Sequence, residues 1–133
     1  MNTPTGLSES GLGALHRLKE MREINTVIFR FPSPSGVLVL EVEANLTHDE
    51  LIQALPADEP RLVVHELAFA NPDGARRNER LLILWVPPAA GDQEETYTVG
   101  YTILKDFLTD VRVHVTARRA DHLEYRRLVA LAG

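Results

Sequence analysis

Residues 91–108 read GDQEETYTVGYTILKDFL, and the conformation of this stretch decides how the chain is layered and which face it offers to a partner. Its opening is acidic, with Asp92, Glu94 and Glu95 close together. Its middle, Thr96 to Ile103, is rich in β-branched and aromatic residues and contains Gly100. By propensity alone such a composition favours strand over helix.

The flanks narrow the choice. LLILWV (81–86) precedes the stretch and is apolar on consecutive positions, the pattern of a central strand covered on both faces. VRVHVT (111–116) follows and alternates, with Val111, Val113 and Val115 on one face. Further out, RLVVHELAFA (61–70) reads as a strand ending in a turn at Asn71-Pro72-Asp73-Gly74, after which ARRNER leads into 81–86. TVIFRF (26–31) and VLVLEVE (37–43) predict a hairpin closed by PSPSG. Thr47 and Glu50 form a capping box for a short helix, HDELIQAL, that stops at Pro56. Leu12, Leu15, Leu18 and Met21 recur at helical spacing and predict a first helix capped by Ser8 or Ser10. A last helix over 119–131 is expected to turn Ala120, Leu123, Leu128 and Leu131 inward. Together these elements predict an α+β fold, one layered domain over 1–133. A central mixed β-sheet of five to six strands would be flanked by helices on both faces.

The bulk composition excludes several classes of function. At 133 residues, with 44% hydrophobic and 25% charged residues, the chain suits one soluble globular domain. A formal net charge of −5 argues against a general nucleic-acid binder. With no cysteine, disulfides, thiol catalysis and thiolate metal sites are excluded. The apolar run 81–86 is too short to span a bilayer, and MNTPTGLSES lacks the basic start and apolar core of a signal peptide, so a cytoplasmic protein is expected.

No catalytic constellation emerges. His48-Asp49-Glu50, and His122 near Glu124, read as solvated surface, while His65 and His114 read as structural strand histidines without a second ligand at metal spacing. Gly11-Leu12-Gly13 falls inside a helix and lacks the rest of a phosphate-binding fingerprint, and neither Ser8 nor Ser10 sits in an elbow motif. The expectation is a non-enzyme with no cofactor and no metal. Two basic clusters stand against the acidic average: Arg76, Arg77 and Arg80, and Arg118, Arg119, Arg126 and Arg127. Each single arginine is most simply solvated charge; as two patches they suit an acidic partner or anionic lipid.

DELIQALPADEPRLVVHELAFANPDG (49–74) resembles the actin-depolymerising-factor homology (ADF/cofilin) superfamily, and most closely its glia maturation factor branch. The elements carrying the resemblance are Asp49-Glu50-Leu51, Leu55-Pro56, Pro60-Arg61 and Asp73-Gly74. LLILWVPPAAG is similar to the superfamily's central strand and following turn, with Trp85 and Pro87 nearer the cofilin branch. The resemblance implies that the opening stretch is a long, partly kinked helix over 93–108 that docks in a cleft on its target. Where cofilins carry a Lys-x-Lys pair followed by Met and Tyr, this chain has Gln93, Glu94, Glu95, Thr96 and Tyr97. Like charges at an acidic actin surface oppose docking, so weak or absent severing is expected.

The same resemblance implies two docking surfaces and a regulator of branched actin networks. One surface comprises Thr5, Gly6, Gln93, Glu94, Thr96, Tyr97 and Tyr101 and would meet an actin-related subunit of the branching complex. The other, Asp73, Arg76, Arg77, Glu124 and Arg127, would reach the first actin of the daughter filament. The implied partners are the actin-related-protein branching complex, actin, or both, met by a monomer in cytoplasmic actin networks, with no nucleic acid and no membrane insertion. Two alternatives stay open: a depolymerising factor that binds actin monomers or filaments, and an adaptor of the same fold that binds neither.

Overall fold

A computed structural model describes residues 6–32 and 36–133. Five strands form one mixed sheet in the order β2-β1-β3-β4-β5. β1 (Thr26–Arg30) pairs antiparallel with β2 (Val39–Ala44) and with β3 (Arg61–Ala70), and β3 pairs antiparallel with β4 (Arg76–Trp85) along ten residues. β5 (Val113–Ala117) joins β4 in parallel, the arrangement that a helical crossover between the two strands requires. The expected fold class is therefore the observed one.

The consecutive apolar residues of β4 divide between two layers, as their period of two dictates. Leu82, Leu84 and Val86 join Val27, Phe29, Leu62 and Val64 under α1 (Glu9–His16) and α3 (Glu94–Phe107). Leu81, Ile83 and Trp85 join Ile28, Val63 and Phe69 under α2 (His48–Ala54) and α4 (Tyr125–Ala132). Complete burial of each such side chain contributes about 1.5–3 kcal/mol, so a strand covered twice anchors both layers.

The stretch 91–108 is helical against its propensity. Pro87 leads into a 3-10 turn, Pro88–Gln93, whose Ala90 (φ −109°, ψ 19°) marks a kink before α3. Tyr97, Gly100 and Leu104 recur at helical spacing and bury against the sheet, and Leu108 extends the stripe. The Thr98 and Thr102 hydroxyls donate to the carbonyls of Glu94 and Thr98 four residues back, so these threonines are satisfied inside the helix. Gly100 is needed at the crossing: a Cβ there would lie 2.8 Å from Leu62 Cδ1 and 2.8 Å from Phe31 Cε2.

Several local expectations change. Ser8 is the cap of α1, accepting from the Gly11 N–H. That helix passes into a π-helical turn, Arg17–Met21, and leaves Met21 exposed rather than inward. β4 begins at Arg76, so ARRNER belongs to the strand, drawn out by its ladder to β3. Val111 is buried but lies ahead of β5. The last helix is broken by extended backbone at Glu124 (ψ 142°) between a 3-10 turn, Ala120–Leu123, and α4. Its inward residues are Leu123, Leu128 and Ala132, whereas Ala120 and Leu131 face outward because the break resets the helical phase. Within the predicted PSPSG turn, Ser33, Pro34 and Ser35 lie outside the described residues.

Candidate functional site

The side of α3 away from the sheet carries Glu95, Thr98, Val99, Thr102 and Asp106, all exposed and spaced along one helical stripe. Val99, at its centre, is 57% exposed. The N-terminal segment lies beside this helix: Gly6 adopts φ +94°, and a Cβ there would sit 2.9 Å from Ile103 Cδ1 of α3. Leu7 bridges Leu38, and the Leu38 N–H donates to the Gly6 carbonyl at 2.7 Å, fixing this segment to the sheet. Thr5 lies outside the described residues.

The structure separates the expected α3 residues by role. Gln93 and Thr96 are half-buried at the start of the helix. Tyr97 is 2% exposed, which departs from its expected place on a contact surface. Its hydroxyl accepts from the Phe31 N–H at 2.8 Å, and the ring meets Phe31 edge to face, so it positions the helix from beneath. Tyr101 is half-buried against His114 of β5, with ring centroids 6.3 Å apart, and burial pushes its phenol upward in pKa. Burial, then the nearby Lys105 ammonium, push the His114 imidazole downward.

Glu94 is not the unopposed charge that its neighbours suggest. Its two carboxylate oxygens accept from Nη1 and Nη2 of Arg118 at 2.6 and 2.9 Å, a bidentate pair that joins the start of α3 to the end of β5. Hydrogen bonding to that guanidinium holds the Glu94 carboxyl below the usual range. Among the described residues none of Asp92, Glu95 and Asp106 has an ion-pair partner, so these three carry the exposed negative charge of the helix and its approach.

The second set of candidates surrounds the far end of the β3–β4 hairpin. Gly74 adopts φ +89° in the Asp73-Gly74 turn, a conformation that favours glycine, and the Asp73 carboxylate accepts from the Ala75 N–H. Arg76 is exposed, while Arg77 stacks 5.8 Å above the Phe69 ring and lies near Glu79. Ala68, Phe69, Ala70, Arg76, Arg77 and Asn78 line a shallow groove of about 280 Å³. The Tyr125 hydroxyl donates to the Ala68 carbonyl at 2.8 Å, which docks the start of α4, with exposed Glu124 and Arg127 near it in sequence, onto this hairpin.

Arg80, Arg119 and four imidazoles are engaged by the scaffold, whereas Arg126 stays exposed. Arg80 pairs with Asp110 and reaches the Lys19 carbonyl; Arg119 pairs with Asp121. His48, expected as solvated surface, packs edge to face on Tyr125 and its Nε2 meets the Leu123 carbonyl. His122 Nδ1 accepts from the Arg118 N–H. His65 is buried beside the Thr26 hydroxyl at 2.8 Å, and desolvation, then the charge of His48, lower its pKa to about 4. Among the described residues no group of three His, Asp or Glu is placed to hold a metal ion, and no helix is long and apolar enough to cross a membrane.

Sequence reading missed Val99 as an exposed apolar position. Counting from an inward Tyr97 and Gly100 would have turned it outward, had the helix been assigned from the residues themselves.

Comparison with known proteins adds a family. Residues 6–131 match the profile of a family described as cofilin/tropomyosin-type actin-binding protein. The chain is 25% identical over 119 residues to actin-depolymerizing factor 10 of Oryza sativa subsp. japonica, covering 87% of this chain and 79% of that relative. Its fold is similar to that of Streptomyces griseoflavus cofilin, with a TM-score of 0.85, 21% identity and 96% of each chain covered. It is also similar in fold to actin depolymerization factor 2 of Plasmodium berghei, with a TM-score of 0.84, 14% identity and both chains covered in full.

Proposed function

This chain belongs to the cofilin/tropomyosin-type actin-binding family, and from that membership we propose that it is a non-enzymatic actin-binding protein of cytoplasmic actin networks. Docking uses the face formed by Gly6, the outer stripe of α3 and the Arg118 end of β5. The observation that carries this reading is the division of α3: Tyr97, Gly100 and Leu104 hold it to the sheet while Glu95, Thr98, Val99, Thr102 and Asp106 stay exposed. A rigid helix with one satisfied face and one free face suits insertion into a groove on a partner.

The charge of that face bears on what is done to the filament. Asp92 and Glu95 oppose an acidic actin surface, and Glu94 is already paired. The protein therefore binds actin with weak severing. The relative named actin-depolymerizing factor supports monomer or filament binding as the main activity.

A second reading, release of daughter filaments through the actin-related-protein branching complex as in glia maturation factor, draws support from two features. These are the acidic start of α3 and the second surface, where Tyr125 joins α4 to the hairpin bearing Asp73, Arg76 and Arg77. Imaging of branched actin filaments with purified protein separates the readings, scoring branch lifetime and cut frequency in the same field. Filament shortening from the ends with rare cuts supports depolymerisation. Shortened branch life without loss from the ends supports the branching-complex reading.

A further inference from the structure

The contact between α3 and the end of β5 has a property that its packing does not require. The Arg118 side chain is 45% exposed and that of Glu94 is 38% exposed, so the pair lies in the open, on the flank of α3 that borders its free stripe. An exposed ion pair of this kind adds little to stability. Its geometry is nonetheless specific, with the fork of the guanidinium matched to both carboxylate oxygens. Glu94 takes one N–H from each terminal nitrogen of a group that has five. The neighbouring cation, Arg119, is neutralised in the same way by Asp121, its Nε lying 3.1 Å from the carboxylate.

Resting on the actin-binding reading above, we propose that the Glu94–Arg118 pair is a self-masking latch on the docking face. Arg118 is the group that meets a carboxylate of the actin partner, and in the free protein Glu94 occupies the place of that carboxylate. Binding then exchanges an intramolecular carboxylate for an intermolecular one, and Glu94, left beside an acidic surface, opposes the exchange. The latch lowers affinity and raises selectivity, because only a partner that offers a carboxylate in the bidentate geometry recovers what is broken.

The test is a double-mutant cycle read by titrating labelled monomeric actin, using the full chain, Glu94→Gln, Arg118→Gln and the double variant, with a thermal melt of each to establish folding. Glu94→Gln is expected to tighten binding by about twofold to fivefold, the size of an exposed ion-pair coupling. Arg118→Gln is expected to weaken it, and Glu94→Gln to bring a smaller gain in the Arg118→Gln background, where only the like-charge repulsion of Glu94 is left to remove. A purely structural tie would behave oppositely, since loosening the start of α3 would weaken binding. The latch is overturned if Glu94→Gln leaves binding unchanged or weaker while the parent chain binds. An equal gain in the Arg118→Gln background also overturns it, because the effect is then bulk charge. Failure of every chain to bind overturns the actin-binding reading itself, and the latch with it.

Discussion

The Tyr97 hydroxyl accepts the Phe31 backbone N–H at 2.8 Å, and the two rings meet edge to face with centroids 5.2 Å apart. The exposed helix α3 is thereby tied to the end of the first hairpin strand, and the orientation of the docking stripe depends on a residue that faces away from it.

Tyr97→Phe keeps the ring and removes the acceptor, leaving the Phe31 N–H without its partner. The expected loss of stability is about 1–2 kcal/mol. Urea unfolding of the variant checks this; an unchanged midpoint would mean that solvent already satisfies that N–H.

Gly100→Ala sets two effects against each other. Alanine gains roughly 1 kcal/mol over glycine in a helix interior. The new methyl, however, meets Leu62 Cδ1 and Phe31 Cε2 at 2.8 Å, and Leu62 is fully buried. Forcing extra volume into such a site costs typically 1–3 kcal/mol. The crossing wins, so the variant is expected to melt lower and to bind actin more weakly, because α3 is pushed off the sheet. A higher melting temperature would contradict this.

Acid sensitivity is expected from His65. Its pKa falls to about 4 in the folded chain, against about 6.5 when unfolded. Above pH 6.5 neither state holds the proton, and folding is unaffected. Between 6.5 and 4 the unfolded chain binds a proton that the buried ring refuses, so stability drops as pH falls, by roughly 3 kcal/mol in all. The Thr26 hydroxyl donates to Asn25 Oδ1 and accepts from the His65 Nδ1–H, a bond open to the neutral and the charged ring alike, so burial is the main penalty on the charge and the nearby His48 adds to it. Unfolding measured from pH 7 to pH 4 should be less pH-dependent for His65→Gln than for the parent; parallel curves would remove His65 as the cause.

Much of the fold was legible in the residues. The consecutive apolar run at 81–86 implied a strand covered twice, and Leu82 and Ile83 do face opposite layers. The capping box at Thr47 and Glu50 is present in full. What was not legible depended on long-range contacts. Propensity misreads 91–108 because burial of Tyr97 and Leu104 outweighs the β-branched residues between them. The break at Glu124 has no local signal of the Pro or Gly kind. The site was only partly readable for the same reason. Nothing near Glu94 in sequence announces Arg118, 24 positions away. Tyr97 looks like a contact residue until the sheet beneath it is known.

The most direct test of the central claim, that the free face of α3 binds actin, is the affinity of Val99→Asp for labelled monomeric actin beside that of the parent chain. Val99 is exposed, so the fold should be unaffected, as a matched thermal melt would verify. The account predicts a loss of tenfold or more, about 1.4 kcal/mol, from a carboxylate set into the middle of the docking stripe. Equal affinity of the two chains would contradict it and move the docking surface away from α3.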